Sequence, residues 1–506
     1  MSQSADLTSG RLLARNTILN LVGEGAPFLV ALVTLPIVIH ALGVDRYGVL
    51  TLSATVVGYF GLFDFGLGRA ATRFISEAAA SSDRQEIPGL FWTSLFMTLA
   101  FGVAGGLVLA VLAPWLVHDV LRIPVALQPE SLHALYLLAL SMPFVISGGG
   151  LSGTLSAFQR FDLINMVRVP SSIFSYAGPL LVLPFSHSLG WLVAVMVLGR
   201  LAGWVVTFWL CFQVVPGLQR EVRPRRATMR PMLSFGGWIT VTAVVSPIMA
   251  YFDRFLIGGV LSMAAVTYYA VPYQVATKLW VIPSAVSAVT FSAFSGAFSS
   301  DPDHTAVMLE SATKYIVLTL FAPVLFIITL APEGLRLWLG PSFADHSASV
   351  LRWLTFAVFI NSTAHPAYGL IQAADRPDLI AKLHLAEAPF YVAVLWWMML
   401  RYGVVGVAIT WTVRVVATTL IVFLMARRLL PLAAPGIARI AALTSAALLI
   451  FGVGTIPMDL PEQCILLGIA PLLFAMLGWL VLEPRERASV RHVVRGVRLL
   501  LAQAQH

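Results

Sequence analysis

Long apolar runs broken by short polar turns set the rhythm of this chain. Runs of about 20 residues, enough for a helix to cross a bilayer, fall near 16–40, 47–68, 88–113, 132–158, 161–185, 190–215, 232–258 and 265–297. Six more fall near 305–330, 348–374, 377–400, 404–426, 436–457 and 463–482. Period-two alternation is absent, so the pattern predicts an all-α membrane protein with about 14 transmembrane helices and excludes a barrel.

One turn occurs twice. Gly153-Thr-Leu-Ser-Ala-Phe-Gln-Arg-Phe-Asp-Leu-Ile164 returns 216 positions later as Gly369-Leu-Ile-Gln-Ala-Ala-Asp-Arg-Pro-Asp-Leu-Ile380. Six of the twelve positions match without a gap: Gly153/Gly369, Ala157/Ala373, Arg160/Arg376, Asp162/Asp378, Leu163/Leu379 and Ile164/Ile380. Unrelated apolar segments would share roughly one, so the chain reads as an internal duplication. Six apolar runs separate the copies, an even number, so both turns face one side and the halves are parallel repeats, an arrangement that transporters use to enclose a central cavity. The expected organisation is a six-helix lobe at 1–218, a basic linker at 219–231, a second six-helix lobe at 232–430, helices 13 and 14 at 431–482, and a tail at 483–506.

Charge supplies the orientation. Arg11, Arg15, Arg73, Arg84, Arg160, Arg376, Arg427, Arg428 and Arg439 fall on one side, joined by the arginines of the linker and of the tail. The opposite loops hold Arg46, Arg122, Arg336 and Arg401. The positive-inside bias predicts a membrane protein with both termini and the long central loop in the cytoplasm. In the tail, Val490, Val493, Val494, Val497, Leu500 and Leu501 share one helical face, with Arg487, Arg491, Arg495 and Arg498 opposite. That face is expected to lie on the anionic inner leaflet.

Composition agrees with the pattern. Only 11% of the residues are charged, against about 25% in soluble domains, so most of the chain belongs in lipid. The excess of basic residues sits between spans, which points away from nucleic acid. Cys211 and Cys464 lie in apolar runs and are expected to be buried free thiols. The first apolar run has no small-residue cleavage site and reads as an anchored helix.

An ionisable side chain within a span is a functional candidate, because lipid does not solvate it. Glu24, set between Gly23 and Gly25 ahead of Pro27, is the leading coupling or titrating residue, with His365 and Glu387 as its counterparts in the second half. Arg69, Arg168, Arg200, Lys278 and Arg414 are the candidate cationic cavity. Aligning Leu189-Gly190 with Tyr402-Gly403 makes Arg200 and Arg414 near-equivalent, and paired guanidiniums suit a pyrophosphate. A static ion pair with Asp253, Glu387 or a carbonyl is the competing role. Arg73 and Glu77, four apart, can pair on one helix face. Asp253 and Arg254 are adjacent and share no helix face; either fits the interface, and neither is given a substrate role. No Walker A loop, H-E-x-x-H, G-x-S-x-G or metal-spaced Cys/His cluster occurs. The sequence therefore points to no catalytic residue, no metal and no cofactor beyond a coupling H+ or Na+.

Arg15-Asn-Thr-Ile, Pro36, Leu42-Gly43-Val-Asp-Arg-Tyr47-Gly48 and Phe63-Asp64-Phe-Gly66-Leu-Gly68 resemble the opening of Wzx-type polysaccharide-transporter flippases. Asp253-Arg254-Phe-Leu-Ile-Gly258 and Tyr402-Gly403…Gly406-Val-Ala408 are similar to the later family segments. These flippases belong to the multidrug/oligosaccharidyl-lipid/polysaccharide exporter superfamily. The resemblance implies two six-helix lobes around a cavity that opens alternately to each side. It also implies movement of undecaprenyl-pyrophosphate-linked oligosaccharides across the inner membrane, with polymerase or chain-length machinery as further partners. Three alternatives stand beside it. A MATE-type drug exporter has acidic cavity residues, whereas buried arginines predominate here. A lipid II flippase has arginines in its first span, where this chain has Glu24. An envelope-assembly scaffold needs neither.

Overall fold

The computed structural model describes residues 10–61, 66–80, 84–215, 217–219, 222–225, 228–234, 252–298, 300–482 and 486–487, and every regular element there is helical. In chain order these are α1 (Gly10–Leu42), α2 (Val44–Gly61), α3 (Leu67–Ala80), α4 (Ile87–Trp115), α5 (Gln128–Ala157), α6 (Phe161–Val182) and α7 (Leu189–Val214). There follow α8 (Met263–Thr277), α9 (Val281–Ala297), α10 (Pro302–Thr329), α11 (Ala331–Leu339), α12 (Pro341–Ala373), α13 (Pro377–Leu429), α14 (Ala434–Gly454) and α15 (Leu460–Val481). Eight helical segments among the described residues are long and apolar enough to cross a membrane. One of them, α13, is two helices: Gly403 breaks it at φ 56°, ψ −140°, a backbone that only glycine adopts without strain, and the Thr418–Glu387 hydrogen bond shows the two halves lying side by side. The chain divides into two compact units, Met1–Ala270 with Met399–Val404, and Val271–Met398 with Val405–His506.

In unit 1 the core is built from Leu67 and Ile75 of α3, Leu90 and Phe91 of α4, Leu151 and Leu155 of α5, and Cys211 of α7. Lipid offers no hydrophobic drive between helices, so close packing and interhelical hydrogen bonds hold them. α4 and α5 approach so closely that a Cβ on Gly102 would lie 2.3 Å from the Pro143 Cα. The chain after α7 folds back on α4: Trp92 Nε1 donates to the Leu218 carbonyl at 2.9 Å, and the Arg225 amide to Thr93 Oγ1 at 2.9 Å. The sequence run at 47–68 is not one helix. α2 ends at Gly61, Gly66 takes φ 65°, and α3 restarts as a short amphipathic helix with Ala70, Ala71 and Ile75 buried.

The duplicated turn is built the same way in both units. In the first copy the Gln159 amide donates to the Ser156 carbonyl and the Arg160 amide to the Leu155 carbonyl; in the second, Asp375 donates to Gln372 and Arg376 to Ile371. Gln159 and Asp375 both sit at φ 56°, the left-handed residue of a Schellman stop. Arg160 then chelates Asp162 at 3.0 and 2.9 Å, and Arg376 donates to Asp378 at 3.0 Å. Arg160 holds the exposed Asp162 carboxyl below its ordinary range, first by hydrogen bonding and then by charge. Asp378 gains a second cation, Lys382, at 2.9 Å.

Among the described residues, unit 2 has two apolar cores. In one, Phe321 of α10 stacks on Phe451 of α14 at 5.2 Å and on Phe474 of α15 at 3.8 Å, so the last two helices pack on this unit. A charge network lies at the polar ends of these helices. Lys314 bonds Glu310 at 3.1 Å and Glu486 at 2.9 Å, and Arg439 bonds Glu310 at 2.7 Å. Glu486 also accepts from Ser311. The rest of the tail, including the amphipathic face read from sequence, lies outside the described residues.

One sequence expectation fails here. Cys211 is buried as expected, but Cys464 is exposed on α15: both faces of an outer helix are apolar in lipid, so hydropathy does not reveal which one packs. Asp253 and Arg254 are buried in the protein. Asp253 accepts from the Tyr269 hydroxyl at 2.6 Å and from the Arg254 amide at 2.7 Å, with the Arg254 guanidinium 3.6 Å away, so adjacency did not prevent pairing.

Candidate functional site

In unit 1, packing of α6 and α7 on each other and on α5 brings Arg168 and Arg200 to one cavity of about 300 Å³. Ser152, Ser171, Trp204 and Thr207 share its wall. Trp204 is held by its Nε1 donating to Ser147 Oγ at 2.8 Å and by stacking on Phe208 at 5.2 Å. Gly203 leaves the space beside Ser171, where a Cβ would come within 2.8 Å of the Ser171 hydroxyl. Arg168 is exposed at the cavity and Arg200 is half-buried. The Arg200 Nη1 is buried without a hydrogen-bond partner among the described residues. A guanidinium stays charged at any accessible pH, so an unpaired buried one calls for water or an anion. The arrangement is a cationic pocket with hydroxyls and an indole, suited chemically to a phosphate beside a sugar.

In unit 2 the near-equivalent Arg414 has different company. Its guanidinium lies 4.7 Å over the Tyr391 ring, and its Nε is buried without a hydrogen-bond partner among the described residues. Thr418, one turn on, has its hydroxyl 2.6 Å from Glu387 Oε1 and 2.9 Å from the Arg414 carbonyl. His384 Nδ1 stands 3.5 Å from Glu387 Oε2, an ion pair when that histidine is protonated. Tyr368 lies within electrostatic reach of both Glu387 and Arg414. Glu387 and Arg414 thus share Tyr368 as a neighbour, while Thr418 bonds the Glu387 carboxylate and only the backbone carbonyl of Arg414.

The remaining sequence candidates are scattered. Arg69 is exposed on α3 and does not line the Arg168–Arg200 cavity. Arg73 pairs with Glu77 at 2.8 Å, as the four-residue spacing predicts. His365 bonds the Asn361 carbonyl of its own helix through Nδ1 at 3.1 Å. Lys278 occupies a single 3-10 turn, Lys278–Trp280, between α8 and α9. Glu24 lies in the backbone of α1, and its side chain lies outside the described residues. Sequence reading missed His384 and Thr418. Each is three or four residues from a singled-out charge, Glu387 or Arg414, and so shares its face. No group of three metal-ligating side chains occurs among the described residues.

Residues 13–298 match the family model described as a polysaccharide biosynthesis protein. A candidate O-antigen transporter of Shigella flexneri is 28% identical over 412 residues, covering 81% of this chain and 96% of the relative. EpsK, an uncharacterized membrane protein of Bacillus subtilis, is 21% identical over 315 residues, covering 61% and 62%. Among solved structures, the inward-facing conformation of a multidrug resistance MATE family transporter of the MOP superfamily matches with TM-score 0.68 at 16% identity, over 82% of this chain and 98% of that one. The lipid II flippase MurJ, in an inward closed conformation, matches with TM-score 0.66 at 11% identity, over 91% and 98%. At those identities the structural likeness speaks for the fold alone. With more than half its length matched by the family model, the chain belongs to the polysaccharide biosynthesis protein family and has the all-α, multi-pass fold of the MOP superfamily.

Proposed function

We propose that this protein is a flippase that moves undecaprenyl-pyrophosphate-linked oligosaccharide repeat units across the bacterial inner membrane for surface polysaccharide assembly. The observation that carries the reading is the unit 1 cavity, where Arg168 and the unpartnered Arg200 Nη1 meet hydroxyls and Trp204. Family membership and the O-antigen transporter relative support the cargo class. In this reading the chain has fourteen spans, as two parallel six-helix lobes at 1–218 and 232–430 joined by a linker at 219–231, followed by two further helices. Both termini face the cytoplasm, which puts the duplicated turns there.

The pyrophosphate sits on the arginines while the polyprenyl tail stays in the bilayer. Binding releases Arg200 from an uncompensated state, so the cavity favours the anionic headgroup over neutral glycan. With no nucleotide-hydrolysing motif, alternating access draws on a cation gradient, the membrane potential or product removal. Glu24, His365 and Glu387 are the candidate coupling groups.

The test is complementation of a strain lacking this gene with wild type, Arg200→Ala, Arg414→Ala and Glu24→Gln, scoring surface polymer at matched protein level. Loss of polymer with lipid-linked units accumulating inside supports the reading. Full polymer in all three variants removes these residues from the mechanism. If deletion leaves the polymer intact and instead alters drug tolerance, small-molecule export replaces flipping.

A further inference from the structure

A second cavity, of about 500 Å³, lies within unit 2 between α12, the second half of α13 and the end of α14. It is far from the duplicated turn along each helix. Its α12 wall runs from Ser349 through Arg352 and Phe356 to Ile360, residues at helical spacings that share one face. α12 ends in the turn at Ala373, so this wall is polar at its far end and apolar toward the middle of the helix. Val416 continues the apolar stretch on α13, and Thr455, just past the end of α14, adds a hydroxyl at the far end. The Thr412 hydroxyl donates to the Trp353 carbonyl at 3.0 Å and ties two walls together.

Arg352 is fixed there for a reason. Its Nε donates at 2.9 Å to the Ile328 carbonyl, one of the acceptors that a helix end leaves without an intrahelical donor. That bond sets the guanidinium plane, and neither terminal amino group has a hydrogen-bond partner among the described residues. The Trp353 ring stands beside it, tilted on Phe356 at 6.3 Å. Indole and guanidinium together are the pair that proteins place at headgroup level.

We propose that this groove is a binding site for one phospholipid of the leaflet opposite the duplicated turns. The phosphate takes the open edge of Arg352, the glycerol esters face Ser349 and Thr455, and one acyl chain follows Phe356, Ile360 and Val416. The gradient from charge to hydroxyl to hydrocarbon is that of the lipid itself, which distinguishes it from a site for a free anion. This site is independent of the cargo reading and stands if that reading falls.

Native mass spectrometry of the detergent-purified full-length protein tests it, with dioleoyl phosphatidic acid, dioleoylglycerol and glycerol 3-phosphate as probes. Wild type should retain one phosphatidic acid and neither of the others. Arg352→Gln should weaken that adduct about tenfold, the effect of losing a charged phosphate contact, and Arg352→Lys should keep part of it. Lys382→Gln, which alters an exposed cation elsewhere, should leave it in place. Because Arg352→Gln also loses the α10 cap, Trp353→Ala provides a second reading through a wall that carries no cap, and it too should weaken the adduct. Equal retention of dioleoylglycerol, displacement by glycerol 3-phosphate alone, or an undiminished adduct in both variants would each overturn the proposal.

Discussion

The two units place near-equivalent arginines in opposite electrostatic settings. Arg200 in unit 1 looks onto a cavity with a second arginine and hydroxyls, and no carboxylate among the described residues lines that cavity. Arg414 in unit 2 shares Tyr368 as a neighbour with Glu387, which His384 and Thr418 flank. In the proposed function this difference corresponds to two tasks. A guanidinium without a counter-ion favours an anionic guest, so we propose that cargo binds chiefly in unit 1 and that the Glu387 cluster of unit 2 carries the coupling charge.

The difference can be broken from either side. Arg200→Ala should have the largest effect, abolishing most polymer export at normal protein level, with Arg200→Lys recovering part because the charge persists while the planar fork is lost. Ser171→Asp would place a carboxylate in the unit 1 cavity. It should reduce export nearly as far, because an internal anion then competes with the cargo. Glu387→Gln should cost about tenfold, the worth of a charge-assisted hydrogen bond. Transport in inverted vesicles reads this directly, and an undiminished rate in that variant would move the coupling role elsewhere, Glu24 first.

The smallest effect concerns the repeat itself. A Cβ on Gly153 would lie 2.3 Å from the Gly68 carbonyl oxygen, backbone that cannot swing away, whereas one on Gly369 would meet Phe294 at 3.7 Å, an ordinary contact. Gly153→Ala should cost about 1–3 kcal/mol and Gly369→Ala close to none, since only the first overpacks a helix contact. Thermal unfolding of the two purified variants reads this directly. Equal losses would mean that the turn is what both glycines serve.

Sequence reading reached the all-helical membrane architecture because span length is written in hydropathy. It reached the duplicated turn because a Schellman stop followed by Arg-x-Asp is local chemistry, repeated as Arg160–Asp162 and Arg376–Asp378. Arg168 and Arg200 were legible as charges in apolar runs, although 32 residues separate them and only the packing of α6 on α7 brings them to one cavity. Tertiary pairing was not legible. Glu387 meets Thr418 across 31 positions, Lys314 meets Glu486 across 172, and Arg352 reaches the end of α10 from α12. Nor does hydropathy separate a lipid-facing side from a packed one, which is why Cys464 was misplaced. The break at Gly66, which leaves Arg69 exposed on its own short helix, was masked by the apolar residues on either side of it.

The most direct measurement is the affinity of the purified protein for a short-chain polyprenyl pyrophosphate, compared among wild type, Arg200→Ala and Arg414→Ala. Assignment of the headgroup to unit 1 predicts a loss of about tenfold or more for Arg200→Ala, the worth of a bidentate phosphate contact, and a clearly smaller loss for Arg414→Ala. Equal losses, or a larger one for Arg414→Ala, would contradict the division of tasks between the two units.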